Sequence, residues 1–380
     1  MSYYGANFWR ALWASWRDRR AGRLAQANAR WGRLRLPGER GPVLWLQGGA
    51  SAELLQLGVE LSRAISNKRK DIRLILTFEA EPPGVFTENL GIDRFGYGFG
   101  PCAHPRALSQ TLSRLQPLRY MGLGRNPSAP MAALLQTSGI PALALGTSPD
   151  RHAERVPWEA IYPHSAAAHR AWREAGFGSF LQEAVDFFPL ITVAQVDPNF
   201  RNLILGSLGD ALFWVTALQP QDWSAWRAAW EASPLQKRGI LFLEGQGGPE
   251  DLLSLSQWKR DRQVPGRILR VDEERWYPAL AASCDAVHLQ SASRAQAWQI
   301  FAGGRPLSQS PGWQWSSPRE PAPQIPILSE ISAVLAHWQQ ILNDPIAARE
   351  EADAYRRYFW QERRQAAERL PELLQRIFDW

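Results

Sequence analysis

Cysteine is scarce in this chain of 380 residues: only Cys102 and Cys284 occur, far apart and each alone. That excludes a disulfide framework and a Cys-x-x-Cys zinc unit, and the two read as reduced thiols. Histidine is hardly more plentiful, with six residues (His104, His152, His164, His169, His288 and His337). None forms a close metal-binding pair, since His164 and His169 stand five apart rather than at the i, i+4 spacing of helical ligands. No bound metal and no cofactor is expected. Lysine is confined to Lys68, Lys70, Lys237 and Lys259, so positive charge rests on arginine. The net charge of +6, from 43 basic and 37 acidic residues, suits anionic partners such as phosphorylated sugars, nucleotides or acidic lipid surfaces. It is too diffuse for nucleic acid, and no nucleic-acid motif or aromatic RNA-binding signature accompanies it.

What is present is an ordinary globular composition, 45% hydrophobic and 21% charged, long enough for two α/β domains. The chain opens on a stretch in which Phe8, Trp9, Leu12, Trp13 and Trp16 share one helical face, with Arg10, Arg17, Arg19, Arg20 and Arg23 around or just beyond it. This segment is too short and too charged to span a bilayer and lacks the apolar core of a signal peptide. Two readings stand: a helix lying in a membrane interface, or a helix packed on the protein's own surface.

After Pro37-Gly38, strand and helix patterns alternate. Strands are expected at 42–47, 73–77, 119–123 and 140–145, and helices at 51–66, 105–115, 128–138 and 164–175, with a strand near 190–194. A second series carries strands at 211–216, 239–244, 267–271, 286–290 and 305–308 and helices at 221–232, 249–260, 273–282 and 293–302. A loop over 310–326 leads to two final helices at about 327–342 and 345–377. The expected class is α/β, of GT-B type: two facing Rossmann-like domains with parallel sheets and C-terminal helices. The division is an amphipathic N-terminal helical arm at 1–36, an N-terminal Rossmann-like domain at 37–195, a C-terminal Rossmann-like domain at 196–326 and C-terminal helices at 327–380 that pack back across the domains.

The most informative stretch runs from Val43 to Glu53. A buried strand is followed by the Gly48-Gly49 turn and then by a small-residue helix start carrying a carboxylate. Ligands of open α/β sheets bind beyond the carboxyl ends of the strands, where such turns lie. Glu53 is placed there either as a general base or as a residue that complements the helix dipole and caps its first turn. Gly245-Gln246-Gly247-Gly248 is a second turn of this kind, open to reading as a phosphate-facing loop or as a tight strand-to-helix turn. Trp223, Trp226 and Trp230 share a helical face and read as core.

Several segments, in order, resemble the Kdo transferases, which add 3-deoxy-manno-octulosonic acid to a lipid A precursor. They are Arg30-Trp31-Gly32-Arg33, the run Trp45 to Glu53, Phe99-Gly100-Pro101 with Leu112 to Pro117, Ser138 to Leu143, Tyr277 to Val287, and Ala302 to Leu307. The chain departs from the family at three places. Gly122 to Ser128 lacks the acidic acceptor segment, Gly146 to Asp150 replaces the segment after the following strand, and Gln290 to Gln296 lacks the donor-binding glycines, His, Asn and Glu.

The resemblance implies transfer of Kdo or a related sugar from a CMP-activated donor, CMP-Kdo or similar, to a lipid-linked acceptor. Glu53 would take the acceptor proton, and Gly48, Gly49, Ser51 and Arg125 would form the acceptor loop. Gly247, Gly248, Ser291, Ser293 and Arg294 would lie on the donor side, with Arg125, Arg294 or Arg305 offsetting phosphate or carboxylate charge. It also implies a cytoplasmic enzyme held on the inner-membrane surface through residues 1–25. The departures keep a second reading open, in which the GT-B shell has become a catalytically inactive, membrane-associated binding or scaffolding protein.

Overall fold

The computed structural model describes residues 3–34, 37, 38, 40–49, 51–79, 86, 90–192, 211–245, 247–261 and 267–379. The chain divides into two compact units. Unit 1 comprises Met1–Phe187, Ser317–Glu320 and Glu368–Trp380, and unit 2 comprises Phe188–Ser316 and Pro321–Ala367.

Unit 1 is built on β1 (Val43–Gln47), β2 (Arg73–Phe78), β3 (Phe95–Phe99), β4 (Pro117–Leu123), β5 (Ala142–Leu145) and β6 (Trp158–Tyr162). All pairings are parallel, and the order is β3-β2-β1-β4-β5-β6. Strands buried on both faces read as near-continuous apolar runs, and the Val43-Leu44-Trp45-Leu46 run is one. One face carries Trp45, Ile75 and Tyr120 against α4 (Pro105–Leu115) and α5 (Ala129–Thr137). There the Trp45 indole donates to Thr77 Oγ1 at 2.8 Å. α3 (Ala52–Lys68) covers the other face. Gly58 lets it approach closely, since a Cβ there would lie 2.9 Å from Leu123 Cδ1 and 3.0 Å from Leu76 Cδ1. α6 (Ala166–Glu174) follows β6.

The N-terminal helix α1 (Tyr3–Arg20) is present, but its buried side is not the tryptophan face. Ala11, Ser15 and Asp18 are buried, whereas Trp9, Trp13 and Trp16 are at least half exposed, at 66%, 59% and 50%. Asp18 explains the choice. Its carboxylate is wholly buried, accepts from Arg30 Nε at 2.8 Å and pairs with Arg23, so α1 turns its acid inward toward α2 (Leu24–Arg30). Arg17 and Arg20 lie over the Trp13 and Trp16 rings.

Unit 2 holds β7 (Ala211–Leu218), β8 (Gly239–Gly245), β9 (Ile268–Val271), β10 (Ala286–Leu289) and β11 (Leu307–Gln309), parallel, in the order β11-β10-β7-β8-β9. Its helices are α7 (Phe188–Ile191), α8 (Trp223–Ala232), α9 (Leu255–Asp261), α10 (Tyr277–Ser283), α11 (Arg294–Gly303), α12 (Ile331–Asn343) and most of α13 (Pro345–Phe378). Trp223, Trp226 and Trp230 of α8 are buried with Trp338 of α12, whose ring stacks on Phe213 at 4.8 Å.

The two parallel sheets with their C-terminal helices match the expected class. Three local expectations give way. The described part of the strand expected near 190–194 is the helical turn Phe188–Ile191, which Pro189 favours as an early helical residue that lacks an N–H. β3 and β6 appear where no strand is expected. The helix expected from 249 begins at Leu255.

The last helix ends in unit 1, where Arg119 of β4 receives it. This guanidinium is 6% exposed. It donates from Nε and Nη2 to both Glu159 carboxylate oxygens, at 2.6 and 2.7 Å, and to the carbonyls of Ile377 and Asp379, at 3.0 and 2.6 Å. Removing the buried guanidinium leaves the half-buried Glu159 carboxylate and the two carbonyls at the helix end without their partner. Arg119→Ala is therefore expected to destabilise unit 1 by about 3 kcal/mol. Urea unfolding would show this as a lower midpoint, and an unchanged midpoint would deny the guanidinium that role.

Candidate functional site

In each sheet the strand order reverses beside the first strand, between β1 and β4 in unit 1 and between β7 and β10 in unit 2. The crevice outside the carboxyl ends of the strands at such a reversal is where open α/β sheets bind ligands.

In unit 1, β1 ends at Gln47 and Gly48-Gly49 turns the chain toward α3. A Cβ on Gly48 would meet Leu55 Cδ2 at 2.7 Å, while one on Gly49 would meet nothing within 4 Å. Gly48 therefore serves strand–helix packing, and Gly49 borders open space. Ser51 is the N-cap of α3, its Oγ accepting from Leu54 N at 3.3 Å, and Glu53 stands in the first turn. Arg125, two residues beyond β4, forms an ion pair with Glu79, which follows β2. These two side chains, with Arg30, Gln47 and Cys102, line a cavity of about 230 Å³ at the reversal. Gln47 is fixed in it by the Tyr120 hydroxyl, which donates to Oε1 at 2.7 Å. Burial pushes the Cys102 thiol up from its ordinary value. Glu53 is not part of this cavity's lining.

In unit 2, the strand Gly239–Gly245 is apolar until Glu244. That carboxylate is 9% exposed and accepts from Tyr277 Oη at 2.7 Å and from Gln296 Nε2 at 2.6 Å. Desolvation by burial pushes its pKa from an ordinary 4.5 up to about 7, the two hydrogen bonds acting in the opposite direction. Gln296 is held from behind: Ser293 is the N-cap of α11, and its Oγ accepts from Gln296 N at 3.1 Å. Thr216, in β7, donates through Oγ1 to the carbonyl of Ser291 beyond β10, closing the reversal. The carboxyl edge of this sheet thus presents an acid poised to change charge near neutrality.

The other donor-side expectations fall differently. Arg294 donates from Nη1 to the Ser316 carbonyl at 2.9 Å and lies over the Trp315 ring at 4.6 Å, and Arg305 donates to the Ala282 carbonyl. Gly247 adopts a left-handed backbone with φ of 66°. Gly248 makes room for Trp223, whose Cη2 would meet an added Cβ at 2.8 Å. Gln246 lies outside the described residues. Sequence reasoning did not single out Arg30, Gln47, Glu79, Glu244 or Gln296 as site residues. Glu244 did leave a signal, as a lone acid closing an apolar strand. Among the described residues no three His, Cys, Asp or Glu side chains gather as a metal site.

No protein-family model matches the chain, and no curated protein matches it. Solved structures share its fold. Anabaena Alr3699/HepE in complex with UDP is 14% identical, with a TM-score of 0.60 over 87% of this chain and 100% of that one. A glycosyltransferase from Rickettsia africae ESF-5 is 9% identical, with a TM-score of 0.60 over 90% and 100%. The UDP-GlcNAc 2-epimerase from Neisseria meningitidis bound to UDP-GlcNAc is 9% identical, with a TM-score of 0.54 over 82% and 95%. The likeness is one of fold: two Rossmann-like parallel-sheet domains with C-terminal helices, consistent with GT-B.

These findings correct the Kdo-transferase resemblance. Several of the similar structures carry UDP or a UDP-sugar, so CMP-Kdo, a lipid-linked acceptor and Kdo transfer to lipid A are withdrawn, and with them the alternative of a catalytically inactive GT-B relative serving as a membrane-associated binding or scaffolding protein. The inner-membrane attachment through residues 1–25, which the amphipathic pattern of the first segment and the resemblance suggest, is withdrawn with them. Among the described residues no helix is long and apolar enough to cross a membrane.

Two buried groups in unit 2 make stability depend on pH with opposite signs. Glu244 is raised from 4.5 to about 7, so its contribution is full below pH 4.5 and disappears as pH rises through 7. His288, whose pKa burial lowers from 6.5 to about 4, contributes above pH 6.5 and loses that contribution as pH falls through 4. Wild-type stability should therefore change little between these limits on their account. Glu244→Gln removes the first effect alone. Its melting temperature is expected to gain on wild type steadily from pH 4.5 to pH 7.5, by the equivalent of about 3 kcal/mol. Parallel melting profiles across that range would mean that Glu244 titrates as an ordinary carboxylate.

Proposed function

We propose that this chain is a UDP-sugar enzyme, a glycosyltransferase that moves a sugar from a uridine diphosphate donor to a hydroxyl acceptor. The observation that carries the reading is the Glu244–Tyr277–Gln296 group at the carboxyl edge of the second sheet. An acid at the carboxyl edge of a Rossmann-like unit is suited to hold the hydroxyls of a nucleotide ribose. Above about pH 7 Glu244 is ionised, and its carboxylate accepts from them without a proton of its own to place. The UDP-bound and UDP-GlcNAc-bound structures of the same fold support uracil as the base.

On the acceptor side the reading assigns Glu53, in the first turn of α3, as the general base. The acceptor O–H passes its proton to the Glu53 carboxylate, the oxygen bonds to the anomeric carbon, and the bond from that carbon to the diphosphate breaks with release of UDP. Gly49 and Ser51 form the adjoining loop, and Arg125, paired with Glu79, keeps a guanidinium at the same edge. Ser291, Ser293 and Gly247 belong to the loops of the donor side. A second reading, epimerisation of a UDP-sugar, is supported by the fold shared with UDP-GlcNAc 2-epimerases. The two part on products: a new glycoside with free UDP, or an isomer of the same UDP-sugar.

Calorimetric titration with UDP is expected to give saturable binding, and CMP is expected to bind at least ten-fold more weakly. Failure to bind UDP at millimolar concentration would end the proposal. With a UDP-sugar turned over, Glu53→Gln is expected to cut the rate by about a hundred-fold or more while UDP affinity stays at the wild-type value. A wild-type rate in that variant would remove Glu53 as the base.

A further inference from the structure

We propose that unit 1 carries a separate binding site, between α2 and the β2–β3 edge of its sheet, for a small amphipathic anion: a flat apolar body bearing a carboxylate, sulfonate or phosphate.

The site arises from a pattern in β3. Parallel neighbours in register point their side chains to the same face of a sheet. Ile75 stands opposite Gly96 and Thr77 opposite Gly98, so on the face toward α2 the edge strand has no side chains at two successive positions. A Cβ at Gly98 would meet nothing within 4 Å, and its backbone is not left-handed. Glycine is therefore not required there by the turn of the chain or by close packing. It leaves space. Interior strand glycines weaken a strand and often mark a place where something else approaches it. Opposite this bare floor, α2 presents Ala25 and Ala29, and the result is a cavity of about 520 Å³. Small-molecule pockets span about 300–1,000 Å³.

Charge decides the class of ligand. The lining is mostly apolar, and the side chains in it that carry charge at neutral pH are Arg23 and Arg33. Among the described residues, no acidic side chain lines it. Arg23 pairs with Asp18, which is wholly buried and already shared with Arg30. One carboxylate thus faces two guanidiniums, and Arg33, exposed at the rim, adds a third. A guanidinium matches carboxylate, sulfonate and phosphate through parallel N–H donors. The site differs from the cavity at the β1/β4 reversal, whose lining contains Arg30, Glu79 and Arg125, and it stands whether or not the chain transfers sugar.

The test uses 1-anilinonaphthalene-8-sulfonate, a flat aromatic anion, titrated into the full chain and followed by its fluorescence. One saturable site is expected. Gly98→Val fills the cavity with a residue that strands favour and should lower affinity at least ten-fold with an unchanged melting temperature. Ala25→Leu fills it from the exposed side of α2 and should do the same, which keeps the test valid if the valine variant fails to fold. Arg33→Glu should weaken the sulfonate several-fold and leave the uncharged N-phenyl-1-naphthylamine unaffected. Wild-type affinity in a folded Gly98→Val or Ala25→Leu variant would overturn the site. Equal affinity for the charged and uncharged probes would overturn its preference for anions.

Discussion

The guanidinium of Arg119 is the constraint on which the closure of unit 1 depends. It sits on a central strand, nearly devoid of water, and hydrogen bonds to Glu159, Ile377 and Asp379 satisfy it. Two go to Glu159 on β6, a strand separated from β4 by β5, and two go to backbone carbonyls at the end of α13. Burying a charge is costly unless it is paired and fully hydrogen-bonded. The arrangement meets that condition by recruiting carbonyls that a helix end leaves without intrahelical partners. One side chain thereby aligns the N-terminal ends of β4 and β6 and fixes where the last helix stops.

The carboxylates of the two carboxyl edges are held by contrasting physics. Glu53 stands in the first turn of a helix capped by Ser51, where aligned peptide dipoles favour negative charge. Glu244 lies in a nearly dry strand end, where desolvation favours the neutral acid and two donors oppose it without winning. The first environment suits a group that must remain a base. The second suits a group whose hydrogen-bonding character changes with its surroundings, because displacing or adding one donor shifts a balance already near neutrality. Gln296 is central to that balance, and its position depends on the Ser293 cap one turn earlier.

Much of the fold was legible because strands buried on both faces leave an unmistakable apolar run. Val43–Leu46, Leu212–Val215 and Ile240–Leu243 are examples, each followed within a few residues by small or polar turn residues. β3 was not legible, because its Phe-Gly-Tyr-Gly-Phe sequence alternates aromatic residues with glycines that belong to an edge strand beside a cavity. β6 was obscured by Glu159, whose place in an otherwise apolar strand makes sense only once Arg119 is seen across the sheet. The caps Ser51 and Ser293 could be read locally, since capping is a property of four consecutive residues. The pairing of Arg125 with Glu79 could not, because it joins the ends of strands that are 40 or more residues apart in sequence. The Kdo-transferase resemblance misled for a related reason. A Trp-containing strand, a small-residue turn and a capped acidic helix start are what many βα units need physically, so their shared order reports the architecture before it reports the substrate.

The path of α13 has a consequence for how the molecule is made. Unit 1 begins with the first strands to be synthesised, yet two of the groups that satisfy Arg119 belong to Ile377 and Asp379. Both are translated after every residue of unit 2. Domains commonly fold in order as they emerge during synthesis. Here the earlier unit must wait for the later one, holding a buried arginine half-satisfied while some 180 residues of the second unit are added and fold. A ribosome paused anywhere within unit 2 would therefore carry an N-terminal unit that is assembled in outline and still open at β4.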